Sequence, residues 1–367
     1  MRLSTRMTRI AVAAVCLMLA VTSCSEENRY ADVAVAATAD NSGQADINKD
    51  GKVVILVLSP GDLNDNGYYE SFLNKASAFA ARQGWTIERQ GNIKPGTSLA
   101  AAKKYCAQYK PDLVALGASE IEDAIPAATN GDCGKAYWYV PSSTITDERP
   151  GIVVSQDFTF ESVIAAGYAS GLLMKFKGYD KAGFISGPAV GFATDAAKAY
   201  YAGLKLALGS SPLEFKAVFT GDLNDGKLAS AAMKELADEG AKAVYPYLGG
   251  GTDPAAKVGN SRGVLLATPG TNRCDSTDPK FDVSVIFDPG EYFAAALQDF
   301  AEGELKMGTR RVWHIGVDQV PTVRLCNGTD DQNAELAQFI TNIGSGKVNV
   351  TGEVNKYGPQ VELPPAS

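Results

Sequence analysis

Histidine is almost absent from this 367-residue chain, in which His314 is the only one. Mechanisms that need a histidine base, such as Ser-His-Asp or Cys-His catalysis, therefore have little to work with. A lone histidine is more often a structural or surface residue than a catalyst, and we interpret His314 in that way. The sequence predicts a protein that is not an enzyme and that holds no cofactor.

Cysteine is also scarce, with six residues in the chain. Cys16 lies in an N-terminal apolar run, and Cys24 follows it. No two of the other four lie close in sequence, which argues against a metal site. In an oxidising compartment these four allow three disulfide connectivities. We favour the connectivity in which each bridge lies within one region, namely Cys106–Cys133 and Cys274–Cys326.

Excess positive charge and long apolar runs are missing as well. The net charge is −8, and removal of residues 1–23, with three arginines and no acid, changes it to −11. An acidic chain is a poor partner for nucleic acid or for an anionic lipid surface. Beyond the N-terminal segment no apolar run reaches the roughly 18 residues that a transmembrane helix needs. The apolar fraction of 45% is enough for two domains with cores.

The N-terminal segment has the pattern of an export signal. Arg2, Arg6 and Arg9 precede an apolar run over residues 10–21, which has the length of a signal-peptide core. Residues 21–24 read V-T-S-C and resemble the lipobox of bacterial lipoproteins. The resemblance implies cleavage after residue 23 and acylation of Cys24, which would anchor the protein stably to the outer face of the cell membrane. The alternative is an ordinary secretory signal.

Residues 24–51 are polar and lack a sustained apolar period, so we expect a flexible tether. From residue 53 onward, strand and helix patterns alternate. Predicted strands cover residues 53–58, 86–89, 113–116, 136–140, 152–154, 182–185, 215–219, 243–247, 263–267 and 283–287. Predicted helices cover residues 69–83, 98–109, 160–177, 192–208, 226–239 and 291–306. Two successive runs of this kind predict an α/β fold with two similar lobes and parallel sheets.

Ligands of parallel α/β sheets bind beyond the carboxyl ends of the strands. The first such loop, residues 61–69, combines carboxylates, amides and two aromatic rings, which suits a neutral polyhydroxyl ligand with a flat ring. Two other interpretations stay open for this loop. Asp62 begins a pattern like a calcium-binding EF-hand loop, as does Asp46, but Leu73 and Val57 stand where the final acid should be. The loop also suits a simple helix cap.

Several ordered blocks resemble the basic membrane protein family, the nucleoside-binding lipoproteins of ABC importers. Residues 64–69 read N-D-N-G-Y-Y, close to the family's first loop. Residues 161–171 and 181–187 are similar to its glutamate, A-G-rich helix and K-x-G-F-I-G-G strand. Residues 240–252 are similar to its G-A-D-V-I-F-x-A-A-G-G-T-G block. The resemblance covers roughly residues 52–326 and implies a type I periplasmic-binding-protein fold, with two doubly wound parallel-sheet lobes, a hinge and an interlobe cleft.

The resemblance also implies a small-molecule ligand, with a nucleoside favoured, and a membrane permease and ATPase as partners. We expect lobe one over residues 52–155 plus 281–310, lobe two over 156–280 plus 311–350, and a tail over 351–367. The family's signature Asp is absent from residues 266–272, and its Lys is absent from residues 285–290. The candidate ligand contacts are Asn64, Asp65, Tyr68, Tyr69, Phe158, Tyr247, Gly250, Thr252, Asn272 and Asp288.

Three alternatives remain at this level. The same cleft could bind a sugar or another solute, or it could serve a ligand sensor without transport. A more remote alternative is an extracellular nucleoside or sugar hydrolase, which would need two acids such as Asp65 and Asp288 facing each other.

Overall fold

The computed structural model describes residues 45–65, 68–142, 145 and 147–364, together with the backbone of Val33–Ala34. The expected signal peptide of residues 1–23, the predicted lipidation site Cys24 and most of the expected tether lie outside the described residues. Within the part of the chain that is described, no helix is both long and apolar enough to cross a membrane.

Strands and helices alternate along the chain as the sequence predicts. The strands are β1 (Val33–Ala34), β2 (Val54–Leu58), β3 (Thr86–Gln90), β4 (Leu113–Leu116), β5 (Tyr137–Pro141), β6 (Val153–Asp157), β7 (Lys181–Ser186), β8 (Glu214–Phe219), β9 (Ala243–Pro246), β10 (Leu265–Gly270), β11 (Val283–Ile286), β12 (Thr309–Trp313) and β13 (Thr322–Leu325). The α-helices are α1 (Tyr68–Gln83), α2 (Ser98–Tyr109), α3 (Thr159–Lys177), α4 (Gly191–Leu208), α5 (Gly226–Asp238), α6 (Thr252–Ser261), α7 (Pro289–Glu302), α8 (Asp330–Gly344) and α9 (Val350–Tyr357). Short 3-10 helices cover Ser119–Thr129, Cys133–Lys135 and Gly358–Gln360.

Lobe one is built on a seven-stranded sheet in the order β1-β12-β6-β5-β4-β2-β3. Its strands are parallel except for β1, which pairs antiparallel with β12. Successive residues of β2 serve opposite faces of the sheet: Ile55 packs in the cluster with α1 and α7, and Leu56 in the cluster with α2. Both faces are covered, which is why β2 is apolar at every position rather than at alternate positions.

Lobe two repeats this arrangement with six strands in the order β13-β11-β10-β9-β7-β8. Only β13 runs antiparallel to its neighbour, β11. Helices α3 and α4 cover one face of the sheet, and α5 and α6 cover the other. The predicted α/β class with two parallel-sheet lobes is confirmed.

The chain passes between the sheets three times, after β6, after β11 and after β12. The last two crossings do not fall at the expected lobe boundaries, 280/281 and 310/311. Strand β11 pairs in parallel with β10 in lobe two, with Ala267 opposite Val283. Strand β12 stays in lobe one as far as Trp313, opposite Asp157 of β6. A short apolar strand looks the same whichever sheet receives it, so pairing decides its lobe.

The ends of the folded region extend beyond the sequence-based boundaries. Asp112 accepts hydrogen bonds from the backbone N–H groups of Ile47 and Asn48, at 2.8 and 3.1 Å, and from that of Val54. Ile47 and Asn48, which fall within the expected flexible tether, are therefore held against lobe one. At the other end, Val350 and Val354 of α9 are buried in the core of lobe two, so the expected tail is wrong for this helix.

Both favoured disulfides are formed. Cys106 of α2 is bonded to Cys133 in lobe one. Cys274, after β10, is bonded to Cys326 at the end of β13 in lobe two. Between Cys274 and Cys326 the chain leaves lobe two, forms α7 and β12 in lobe one, and returns to lobe two. The second bridge therefore links the segments of lobe two before and after this crossing.

Candidate functional site

A cleft lies between the lobes, at the carboxyl ends of the strands of both sheets. Lobe one contributes the loops that follow β2, β4, β5 and β6, and lobe two contributes those that follow β7 to β11. The empty volume, including the open mouth, is about 1250 Å³. This is the position in which parallel α/β sheets bind ligands.

Six of the predicted contact residues line this cleft: Asp65, Tyr68, Tyr69, Tyr247, Gly250 and Thr252. They come from the loop after β2 and the loop after β9, on opposite lobes. The cleft thus brings together residues that are separated by about half of the chain. Their direct contact with a ligand stays a prediction.

Asn64, Asn272 and Phe158 lie outside the cleft lining. Asn64 is exposed and donates from its backbone N–H to Asp62, which closes a turn. Asn272 accepts from the backbone N–H of Cys274 in the same kind of turn. Short polar side chains bond to nearby backbone in this way in many loops, and sequence alone does not separate that role from ligand binding.

Phe158 takes part in a hinge contact instead. Its ring stacks on His314 with centroids 4.8 Å apart. The imidazole Nδ1 lies 3.0 Å from Oε1 of Glu161, and the Glu161 carboxylate also accepts from the backbone N–H of Ile315. These contacts join the crossing after β6 to the crossing after β12. The contacts of His314 are thus with residues that link the two crossings.

Asp288 has a capping role at the start of α7. Its Oδ1 accepts from the backbone N–H of Gly290 at 2.9 Å and from the hydroxyl of Ser71 at 2.5 Å. Asp65 similarly accepts from backbone N–H groups in the first turn of α1, including that of Glu70 at 3.0 Å. Asp288 is absent from the cleft lining, so the facing acid pair that a hydrolase would need is not formed by these two residues.

The first acids of the two calcium-like patterns, Asp46 and Asp62, cap turns. Asp46 accepts from the backbone N–H groups of Asp50 and Gly51. Asp62 accepts from the N–H of Asn64. Among the described residues, no group of three or more acidic, cysteine or histidine side chains is arranged to hold a metal ion. Asn66 and Gly67, which belong to the pattern that begins at Asp62, lie outside the described residues.

A series of aromatic rings runs across the cleft from one lobe to the other. Ring centroids are separated by 6.5 Å between Phe192 and Tyr247, by 6.3 Å between Tyr247 and Phe287, and by 6.4 Å between Phe287 and Tyr68. The separations are those of interacting aromatic pairs. The series gives the cleft an apolar wall to which both lobes contribute.

Two acids of the cleft, Glu120 and Asp157, are absent from the sequence-based candidates. Burial raises the pKa of Asp157 to about 6, and Thr159 donates its hydroxyl to Oδ1 at 3.4 Å. Burial also raises the pKa of Glu120, whose Oε1 accepts from the Tyr69 hydroxyl at 3.2 Å. Asp157 is the last residue of β6, where the chain crosses between the lobes, and this position in the sequence could have identified it as a cleft residue. Glu120 lies in a 3-10 segment without a strand or helix pattern.

The negative charges of Asp157 and Glu120 affect the pKa values of tyrosines in the cleft. The pKa of Tyr68 is raised well above its ordinary value by burial, and further by the charges of Asp157 and Glu120. Burial and the same two charges raise the pKa of Tyr247. Tyr68 and Tyr247 therefore present neutral hydroxyl groups to the cleft at physiological pH.

The lobe-two side of the cleft contains an ion pair. The Arg273 guanidinium donates to both carboxylate oxygens of Asp253, with Nη2 3.1 Å from Oδ2, in a bidentate arrangement. Arg273 also lies over the ring of Phe281, 4.6 Å from its centroid. A bidentate pair fixes both side chains, and the pair supplies a rigid polar wall without net charge.

The glycine-rich loop after β9 is held from within lobe two. The backbone N–H of Gly250 donates to Oδ1 of Asn224 at 2.8 Å. A Cβ at Gly249 would lie 2.5 Å from the same oxygen, so a larger residue there would displace the Asn224 side chain from this bond. The Thr252 hydroxyl donates to the carbonyl of Leu248 at 2.9 Å. These bonds position the loop, and they explain its composition without a ligand.

The raised pKa of Asp157 predicts that Asp157→Asn stabilises the protein at about pH 8. An acid with a raised folded-state pKa binds its proton more readily when folded, so its ionisation opposes folding above that pKa. We expect a gain of about 1–2 kcal/mol, because the carboxyl is half-buried and solvent screens part of the full effect. The gain should shrink as the pH falls through about 6 toward 4. Melting curves of both proteins across this range test it, and a gain that grows on acidification would contradict it.

No protein-family model and no curated protein matches the chain. Solved structures do match it. An ABC transporter solute-binding protein from Conexibacter woesei aligns with a TM-score of 0.65 and 16% identity over 81% of this chain and 98% of that one. A transcriptional activator of the comK gene from Bacillus halodurans aligns with a TM-score of 0.61 and 15% identity, over 81% and 99%.

A third match is an ABC transporter periplasmic solute-binding protein from Actinobacillus succinogenes with bound D-allose. It aligns with a TM-score of 0.56 and 14% identity, over 77% of this chain and all of that one (100%). The structural neighbours thus include ABC-transporter solute-binding proteins of the periplasmic-binding-protein type. At these identities the likeness concerns the fold, and the fold of this chain is the type I periplasmic-binding-protein-like fold.

Proposed function

We propose that this protein is the solute-capturing component of an ABC importer and that it holds one small polar ligand between its lobes. The observation that carries the proposal is the cleft itself, to which both lobes contribute aromatic and polar side chains. A ligand that touches both lobes stabilises the closed form over the open one, and this difference in free energy drives closure.

The proposed ligand is a nucleoside or a molecule of similar size and polarity. In the sequence resemblance, Tyr68 corresponds to the aromatic residue that stacks on the base in the basic membrane protein family, and the rings of Phe287 and Tyr247 lie beside it in the cleft wall. Because the family's Lys is missing, other groups would have to bind the sugar hydroxyls of such a ligand. In this chain the cleft-lining polar side chains include Glu120 and Asp157.

The proposed setting is the outer face of the cell membrane, with Cys24 as the lipid anchor. The basis is the sequence of residues 1–24 alone. A closed, loaded molecule would then dock on a membrane permease, and an ATPase on the other side would drive transport.

A sugar is the second candidate ligand, and one observation favours it. The Actinobacillus succinogenes protein with the same fold holds D-allose. Aromatic rings and carboxylates also serve sugar recognition, because rings pack on the apolar faces of sugars and carboxylates accept from their hydroxyls.

The test is thermal melting of the protein against a panel of nucleosides, free bases and sugars. A ligand that binds only the folded form stabilises it by about 2.7 kcal/mol at a hundredfold excess over its Kd. This corresponds to a rise in melting temperature of about 4 °C for a protein of this size. We expect such a rise with at least one compound, and we expect Tyr68→Ala to abolish it.

The matched control is Tyr105→Ala, which removes a half-buried tyrosine on α2, away from the cleft. This variant should keep the full response to the ligand. A response that survives Tyr68→Ala, or that is lost equally in both variants, would contradict binding against this ring. The absence of any response across the panel would contradict capture of these solute classes.

A further inference from the structure

The charge of the cleft is unbalanced among the residues that are described. Its lining contains the carboxylates of Asp65, Glu120, Asp157 and Asp253 but only one cationic side chain, Arg273. Arg273 is bonded to Asp253 through both of its terminal nitrogens. Asp65 is engaged by backbone N–H groups at the start of α1. Glu120 and Asp157 therefore give the lobe-one side of the cleft a negative charge that no described cation of the lining offsets.

Closure of the lobes would make this imbalance more costly. Withdrawal of an ionised carboxylate from water is unfavourable unless a partner compensates it. Burial already raises the pKa of both acids in the present structure, and a ligand that excludes more water would increase that cost. A neutral ligand can donate hydroxyl hydrogens to the carboxylates, whereas a cation supplies hydrogen bonds or contacts and the opposite charge together.

The aromatic wall of the cleft is of a kind that also suits a cation. Tyr68, Tyr247 and Phe287 form a continuous series with Phe192. Aromatic rings attract ammonium groups by about 0.5–2 kcal/mol each, and cages of aromatic rings hold quaternary ammonium ligands in other proteins. Rings and carboxylates line the same space here.

A second polar position in the cleft is independent of these charges. Tyr292 of α7 lines the cleft and is only 7% exposed. Its buried hydroxyl has no hydrogen-bond partner among the described residues. Buried hydroxyls are normally satisfied, and one without a partner costs about 1–3 kcal/mol. A ligand with its own hydroxyl or other polar group would satisfy it.

We infer that the ligand of this cleft carries a cationic nitrogen, held by Asp157 and Glu120 among the rings of Tyr68, Tyr247 and Phe287. This inference rests on the proposed function, solute capture in the cleft, and it specifies the charge of the solute. The compound class is a compact organic ammonium or iminium cation that also bears a polar group such as a hydroxyl.

The test compares two pairs of compounds that differ in charge and little in shape. Choline is paired with 3,3-dimethylbutan-1-ol, in which carbon replaces the ammonium nitrogen. The cationic nucleoside 1-methyladenosine is paired with adenosine. Titration calorimetry on the full chain measures the Kd of each compound, with D-allose as a neutral sugar. We expect the cation of at least one pair to bind about tenfold or more tightly than its neutral partner, a difference of about 1.4 kcal/mol.

The variant Asp157→Asn should weaken binding of that cation by about tenfold or more while leaving the neutral partner little changed. The control is Asp180→Asn, which removes an exposed acid outside the cleft and should leave both affinities unchanged. Since Asp157→Asn is expected to stabilise the fold, loss of binding would not reflect unfolding.

The outcomes separate the two levels of the proposal. Saturable binding of adenosine or D-allose without a preference for either cation would overturn the inference on charge and leave solute capture standing. Equal effects of Asp157→Asn on the cation and on its neutral partner would also overturn it. Failure of every compound in calorimetry, together with failure of the melting panel, would overturn both.

Discussion

Replacement of Gly203 by alanine is expected to destabilise lobe two by about 3 kcal/mol, at the upper end of the usual cost of overpacking a core. Gly203 lies where α4 crosses α3, and a Cβ built there would be 2.0 Å from the carbonyl oxygen of Ile164. The obstacle is backbone, which cannot rotate away as a side chain can. The helices must therefore separate, and contacts between them are lost along their length. For a chain of this length the melting temperature should fall by roughly 4–5 °C.

The direction of this effect discriminates packing from helix propensity. Alanine favours a helix interior over glycine by about 1 kcal/mol, so propensity alone would make the variant more stable. The control is Gly191→Ala at the first residue of α4, where a Cβ meets nothing within 4 Å. That variant should be neutral or slightly stabilising. Equal stability of the Gly203 variant and the wild type would contradict the close helix crossing.

Loss of the Cys274–Cys326 bridge should have an effect of similar size. The bridge spans a sequence separation of 52 residues, and the chain-entropy model assigns about 4 kcal/mol to a loop of that length. The loop closed by this bridge contains α7 and β12 of lobe one. Without the bridge, the segments of lobe two on either side of that loop are no longer linked covalently. Denaturant unfolding of the Cys274→Ser/Cys326→Ser double variant measures the loss.

The other disulfide provides the comparison. Cys106 and Cys133 are separated by 27 residues, about half as many, and loop entropy changes by only about 0.6 kcal/mol per doubling of length. We therefore expect the Cys106→Ser/Cys133→Ser variant to lose nearly as much stability, about 3.5 kcal/mol. If removal of Cys274–Cys326 left the unfolding free energy unchanged, the bridge would not constrain the unfolded chain as described.

The core of the fold follows closely from the sequence. Strands such as Val54–Leu58 and Leu113–Leu116 are fully apolar because helices cover both faces of their sheets, and that pattern is visible without coordinates. Lobe membership is a different matter. The pairing of β11 with β10 and of β12 with β6 is a long-range choice, and the local composition of these strands is compatible with either sheet.

The candidate site was only partly accessible from sequence. Loop position after a strand correctly brings Tyr68 and Tyr247 to the cleft lining. The same reasoning fails for Asp288 and Asn272, which satisfy nearby backbone N–H groups. Capping and ligand binding use the same short polar side chains, so only three-dimensional placement separates them. Glu120 is missed because its segment has no periodic pattern that predicts where its side chain lies.

The most direct test of solute capture between the lobes is the distance across the cleft. Spin labels at Lys94, after β3, and at Lys227, at the start of α5, would report on the two lobes from exposed positions. The distance is measured without solute and with each nucleoside, sugar and cation of the panels above. Capture by closure predicts a shorter, narrower distance distribution with every compound that raises the melting temperature. An unchanged distribution with such a compound would contradict closure of the lobes on a ligand.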